Sequence, residues 1–125
     1  MAARVYQIIM NKTQRDAINK HGFDEVDIGK AHMNVQRGFK GWMPHYQQYY
    51  KLAFELESDS LDEIYELTNL WNKPEKVTRV HDNATSTSVG HIIELDGTRM
   101  FMVEPCGFER MYVFEDEISE DRMVS

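Results

Sequence analysis

From His91 to Val103 the chain reads HIIELDGTRMFMV, two apolar runs joined by Asp96-Gly97. Asp-Gly between apolar runs is a type I′ turn signal, because that turn needs positive φ and glycine adopts it without steric cost. The segment is therefore an antiparallel hairpin, with strands at His91–Leu95 and Met100–Val103. Pro105 and Gly107 break the second strand. Gly107-Phe108 turns the chain back with an aromatic directed to the core, and RMYVFE reads as a last strand.

Upstream, RVYQIIM at 4–10 reads as a strand. Thr13 is placed to N-cap a helix through TQRDAINKHG, and Gly22 is its stop. FDEVDIGKAHMNV shows no clean period. YYKLAFELES alternates as a strand, with Tyr50, Leu52, Phe54 and Leu56 on one side. SLDEIYELTN reads as a helix that Ser58, Asp59 or Ser60 can cap, with Ser60 and Glu63 in capping-box spacing and a stripe of Leu61, Ile64, Tyr65 and Leu67 or Thr68. VTRVHDN reads as a short strand. The order β, α, irregular, β, α and three or four further β defines an α+β class, a small single domain with a mainly antiparallel sheet, two helices and a C-terminal hairpin or meander. The domain spans residues 1–125, with 116–125 expected to form a frayed acidic tail.

The net charge is −7, unevenly spread. Residues 1–54 hold 8 Lys+Arg against 4 Asp+Glu, or +4; residues 55–125 hold 6 against 17, or −11. No run of eighteen apolar residues exists, so no membrane partner is expected, and no cleavage signal follows the N-terminal apolar stretch. A cytoplasmic location fits the single cysteine, Cys106.

The C-terminal half resembles the YodL-like family of small bacterial and phage or mobile-element domains. The resemblance is carried by SLDEIYELTN ending in Asn69, by Ser86-Thr87-Ser88-Val89-Gly90-His91-Ile92-Ile93, and by Gly107-Phe108-Glu109-Arg110-Met111, with VYQIIM matching the family's opening strand. The family pattern has Asp where this chain has His91. The resemblance implies an accessory role in a phage or mobile element and brings no enzymatic activity with it.

Among candidate chemistries, Ser88 lies three residues before His91, but Ser-Val-Gly is not a nucleophile elbow. Ser86 and Ser88 are expected to satisfy backbone groups at the lead-in to the strand, with Gly90 completing it. Cys106 reads as a buried small hydrophobe at a strand bend. The five histidines lack zinc-site spacing, so neither a metal nor another cofactor is expected. Asp62 and Glu66 read as a solvated helix surface. No residue is assigned a catalytic role.

The segment 37–51 is the best binding candidate. No acid occurs between Asp27 and Glu55, and Arg37, Lys40 and Lys51 interleave with Phe39, Trp42, Tyr46, Tyr49 and Tyr50. Exposed Trp, Tyr and Arg are what protein hot spots use. The bland alternative is that Tyr50 is core and Trp42 covers a sheet edge. The first functional reading is a non-enzymatic domain that binds a host or phage protein through Arg37, Phe39, Lys40, Trp42, Tyr46 and Tyr49. The alternatives are single-stranded nucleic-acid binding by the same segment, with bases stacked on aromatics, and a small enzyme around Ser88, His91 and Cys106. Pairing of two copies through an open sheet edge is a further option.

Overall fold

The computed structural model describes residues 2–112. The last strand expected over RMYVFE, 110–115, is described only as far as Tyr112, and there the strand is Phe108–Arg110, ending before Met111; the rest of it and the acidic tail lie outside the described residues. Six strands form one fully antiparallel sheet: β1 (Ala2–Ile8), β2 (Tyr50–Glu57), β3 (Val77–Arg79), β4 (Ile92–Leu95), β5 (Arg99–Val103) and β6 (Phe108–Arg110), in spatial order β3-β2-β1-β4-β5-β6. Three α-helices are described: α1 (Lys12–His21), α2 (Asp27–Val35) and α3 (Leu61–Leu70). The α+β class expected from the element order is what the chain adopts.

The sheet is buried on both faces. On one face α3 contributes Ile64 and Leu67 to a core with Ala3, Val5, Phe54, Leu56, Ile93, Leu95 and Val103. On the other, Ile18 of α1 and Ile28, Ala31 and Val35 of α2 meet Ile8, Ile92, Met100, Met102 and Met111. This explains why β4 and β5 read as near-continuous apolar runs: successive side chains enter alternate cores. The Asp-Gly turn forms as expected, with φ of 61° at Asp96 and 71° at Gly97 and the Thr98 N–H donating to the Leu95 carbonyl at 3.1 Å.

Five local expectations are corrected. The cap of α1 is Asn11, whose side chain accepts from the Gln14 N–H while the Gln14 side chain accepts from the Asn11 N–H; Thr13 already lies within the helix. The irregular stretch after Gly22 holds α2. The alternation expected in β2 is interrupted by a bulge: Val5 pairs with Phe54 but Tyr6 pairs with Leu52, so Ala53 is the extra residue. Phe54 and Leu56 therefore enter the α3 core while Tyr50 packs into the opposite one. In α3 the buried stripe is Ile64, Leu67 and Thr68, and Tyr65 is exposed. Of the three candidate caps Ser60 is the one used, accepting from the Glu63 N–H at 3.3 Å, but the Glu63 carboxylate accepts from the Ser58 hydroxyl at 2.5 Å instead of closing the box on Ser60.

Candidate functional site

Two regions meet at the α2 side of the sheet: the segment 37–51 and the end of the loop 83–91, where the Tyr50 hydroxyl reaches Gly90. Most aromatics of the first are structural. Tyr46 is 5% exposed and its hydroxyl accepts from the Asn34 side-chain amide at 2.7 Å, so it is a core residue and not a surface anchor. Tyr50 donates to the Gly90 carbonyl at 2.7 Å, and burial raises its pKa. Tyr49 is half-buried against the same core. Phe39 and Trp42 are half-buried and stack on one another, ring centres 5.7 Å apart and planes 21° from parallel. Arg37, Lys40, Met43, Pro44 and His45 face solvent. The bland alternative therefore holds for Tyr50, Tyr46 is corrected from binding anchor to core, and the exposed part of the segment is a basic ridge around one aromatic plate.

That ridge is fixed from across the sheet. The Glu104 carboxylate accepts from the Phe39 backbone N–H at 2.7 Å. Between the two lies an open groove of about 420 Å³ bordered by Arg37, Phe39, Lys40, Glu104, Pro105 and Glu109.

The loop 83–91 is pinned by side chains that the sequence did not single out. Gln7 of β1, 1% exposed, donates to the Thr85 carbonyl at 2.6 Å and accepts from the Thr85 N–H at 3.0 Å. The buried hydroxyls of Thr68 and Thr87 lie 2.6 Å apart, and Asn69 donates to the Thr87 carbonyl at 2.9 Å. The backbone satisfaction expected of Ser86 and Ser88 thus belongs to Gln7, Asn69 and His91. Both serine side chains are exposed, with Ser86 accepting from the Trp71 indole at 3.4 Å. The only available signal was two polar residues, Gln7 and Thr68, at core-facing positions.

His91 closes the loop. Its Nδ1 accepts from the Ser88 backbone N–H at 3.0 Å, and its Nε2 lies 3.5 Å from the Ser88 hydroxyl. A nitrogen that accepts an N–H carries no proton, so in the neutral ring the proton sits on Nε2. The nitrogen facing Ser88 is therefore a donor and cannot take the serine proton, and the pair is not a nucleophile and base. Cys106 is exposed in the β5–β6 turn, not buried as expected, and lines neither cavity beside His91. Asp62 and Glu66 are solvated, as read. Among the described residues no group of three His, Cys, Asp or Glu side chains is placed to hold a metal ion.

Burial, with a smaller contribution from the nearby His32, lowers the His91 pKa from 6.5 to about 4. The unfolded chain then takes a proton near pH 6.5 that the folded chain refuses. The stability from His91 is complete above pH 6.5 and is lost as pH falls towards 4, by about 3 kcal/mol in all. Urea unfolding of wild type and His91→Asn at neutral pH and near pH 5 measures it; the variant keeps an acceptor for Ser88 and shows a shallower loss. Equal slopes would refute the assignment.

A second polar group lies on the sheet face opposite α3. Glu94, 6% exposed, accepts from the Tyr6 hydroxyl at 3.1 Å and from Arg4 at 3.4 Å. Burial first, then the Glu94 charge, pushes the Tyr6 pKa up to about 12. Arg4 also reaches Glu55 at 3.1 Å, so this buried carboxylate has its partners and opens no site.

No protein family, curated protein or solved structure matches the chain. No helix among the described residues is long and apolar enough to cross a membrane.

Proposed function

We propose that the chain is a non-enzymatic interaction domain that binds a protein partner through the ridge 37–45. The phage or mobile-element setting, a host or phage protein as the partner and a cytoplasmic location come from the sequence reading. The observation that carries the proposal is the exposed set Arg37, Lys40, Met43 and His45 around the stacked Phe39–Trp42 pair. The Glu104 bond to the Phe39 N–H holds that surface in place before any partner arrives, which lowers the ordering cost of docking. Arg37 and Lys40 supply the charge-assisted contacts.

The nucleic-acid alternative loses ground, because Tyr46 and Tyr50 are withdrawn from stacking and Glu104 and Glu109 border the groove. Pairing of two copies through a sheet edge is the weaker option, since each edge strand, β3 and β6, has three residues.

Affinity capture from nuclease-treated bacterial lysate tests the proposal, comparing wild type with Arg37→Glu/Lys40→Glu. Both residues are exposed, so the variant is expected to unfold at the same temperature as wild type and to capture its partner at least tenfold less, as reversal of two rim charges dictates. Undiminished capture would refute the ridge. Capture lost on nuclease treatment of the wild type would favour nucleic acid.

A further inference from the structure

A cavity of about 210 Å³ opens between α1, α2, the end of β1 and the loop 83–91, bordered by polar Gln7, Arg15, His32, Asn83, Thr85 and His91. A smaller cavity of about 40 Å³ shares Ile8, His32 and His91 with it and adds Gln36 and Ser88. In a chain of net charge −7, no carboxylate borders either one.

The polar groups there present donors. In His91 the Nδ1 accepts from the Ser88 N–H, so Nε2 carries the proton; it lies 3.5 Å from the Ser88 hydroxyl, a long contact that a stronger acceptor can replace. In His32 the Nδ1 lies 3.3 Å from the Gln36 side-chain nitrogen, which has only N–H to offer. His32 is therefore also the Nε2–H tautomer. Burial lowers the pKa of both rings, which keeps them neutral donors at physiological pH. Arg15 donates to the Met10 carbonyl at 2.9 Å, which orients a guanidinium whose five N–H groups exceed that one bond. Asn83 adds an amide, and Thr85 a hydroxyl that rests on the Gln7 side-chain oxygen at a long 3.5 Å.

We propose that this cleft binds a small phosphate monoester. One guanidinium, two imidazole N–H groups, an amide and a hydroxyl drawn from three elements outnumber what a two-oxygen carboxylate accepts, and they suit the oxygens and charge of a phosphate. A volume of about 210 Å³ lies below the range for drug-sized ligands and leaves room for one small organic group beside the phosphate. The neutral rings avoid the cost of burying three cations together in the empty cleft. The charged and titratable groups facing the ligand are Arg15 from α1, His32 from α2 and His91 from the loop, with none from β1.

The test is a titration of the full chain, followed by amide and imidazole NMR, with ribose 5-phosphate, inorganic phosphate, acetate and chloride at matched ionic strength. Saturable shifts at His32, Asn83, Thr85 and Ser88 to Ile92 are expected with ribose 5-phosphate, with weaker saturation by inorganic phosphate. The His32 titration midpoint should rise in the bound state, because a bound dianion favours the imidazolium. Arg15→Gln, on an exposed helix position, and His91→Asn, which keeps the Ser88 acceptor, should each weaken binding about tenfold, as loss of one charge-assisted or buried hydrogen bond does. Shifts that stay linear and match those of chloride would overturn the site. Acetate binding as tightly as either phosphate would overturn the phosphate assignment, and inorganic phosphate matching the ester would overturn the monoester. Unaltered affinity in both variants would overturn the residues named.

Discussion

Replacing Phe54 with alanine lowers the free energy of unfolding by about 3–5 kcal/mol, the range for deleting a buried aromatic ring. Phe54 is fully buried on β2, in the core under α3. Its ring meets Trp71 edge-on with centres 5.3 Å apart, and the Arg79 guanidinium sits 5.7 Å from Phe54 and 5.4 Å from Trp71. These three residues tie the end of α3 and the edge strand β3 to the middle of the sheet. Trp71 ends α3 in the left-handed region, φ 54°, without glycine, and its packing on Phe54 offsets the strain of that conformation. Small domains are stable by about 5–15 kcal/mol, so the variant loses a large share of the total. Urea denaturation reads it as a lower midpoint with unchanged slope. A loss below about 1 kcal/mol would mean that the α3 core is not the main source of stability.

Gly90→Ala is the second large effect. Gly90 has φ +92°, and a Cβ there would lie 2.6 Å from the Val35 carbonyl oxygen and 2.8 Å from the Val35 side chain. Conformational strain of about 1–3 kcal/mol adds to the cost of pushing α2 away from β4, for a total of about 3–4 kcal/mol. Gly107→Ala is the matched control. Its φ is +88°, but nothing lies within 4 Å of its Cβ, so only the strain applies and the loss is about 1 kcal/mol. Equal losses at the two positions, by thermal or urea unfolding, would show that the close approach to Val35 contributes nothing. Val35, Gly90, His32 and His91 border the same small cavity, so Gly90→Ala also disturbs the ring positions on which the proposed phosphate site depends.

The errors of sequence reading at this site have one physical source. α2 lacks a side-chain N-cap and carries Gly29, a poor helix former, so its local signals are weak. It is held by packing: a Cβ at Gly29 would lie 2.8 Å from the Phe23 carbonyl oxygen. The aromatics of 37–51 have the composition of a binding surface, but the partners that bury them, Asn34 on Tyr46 and Gly90 under the Tyr50 hydroxyl, are set by the fold and not by local spacing. The bulge at Ala53 likewise has no local signature, yet it exchanges the faces of Tyr50 and Phe54. Cys106, flanked by Pro105 and Gly107, resembles a buried bend and is instead the outside of a turn.

The sequence by itself determined those features that depend on neighbours a few residues apart. These are the Asp96-Gly97 hairpin, the start of α3 just after its capping residues 58–60, the Gly22 stop of α1, the strands β1 to β3 and hence the α+β class. Each is governed by backbone dihedrals and hydrogen bonds within one turn, which residue types control directly. Only the tertiary structure decided the two-faced core, the burial of Tyr46 and the cleft that joins Arg15, His32 and His91. Arg15 and His91 lie far apart in the chain, and what brings them together is the pairing of β1 with β4 and the packing of α1 and α2 over that pair. Such long-range contacts are stabilised by the sum of buried apolar surface and carry no mark at the residues they assemble.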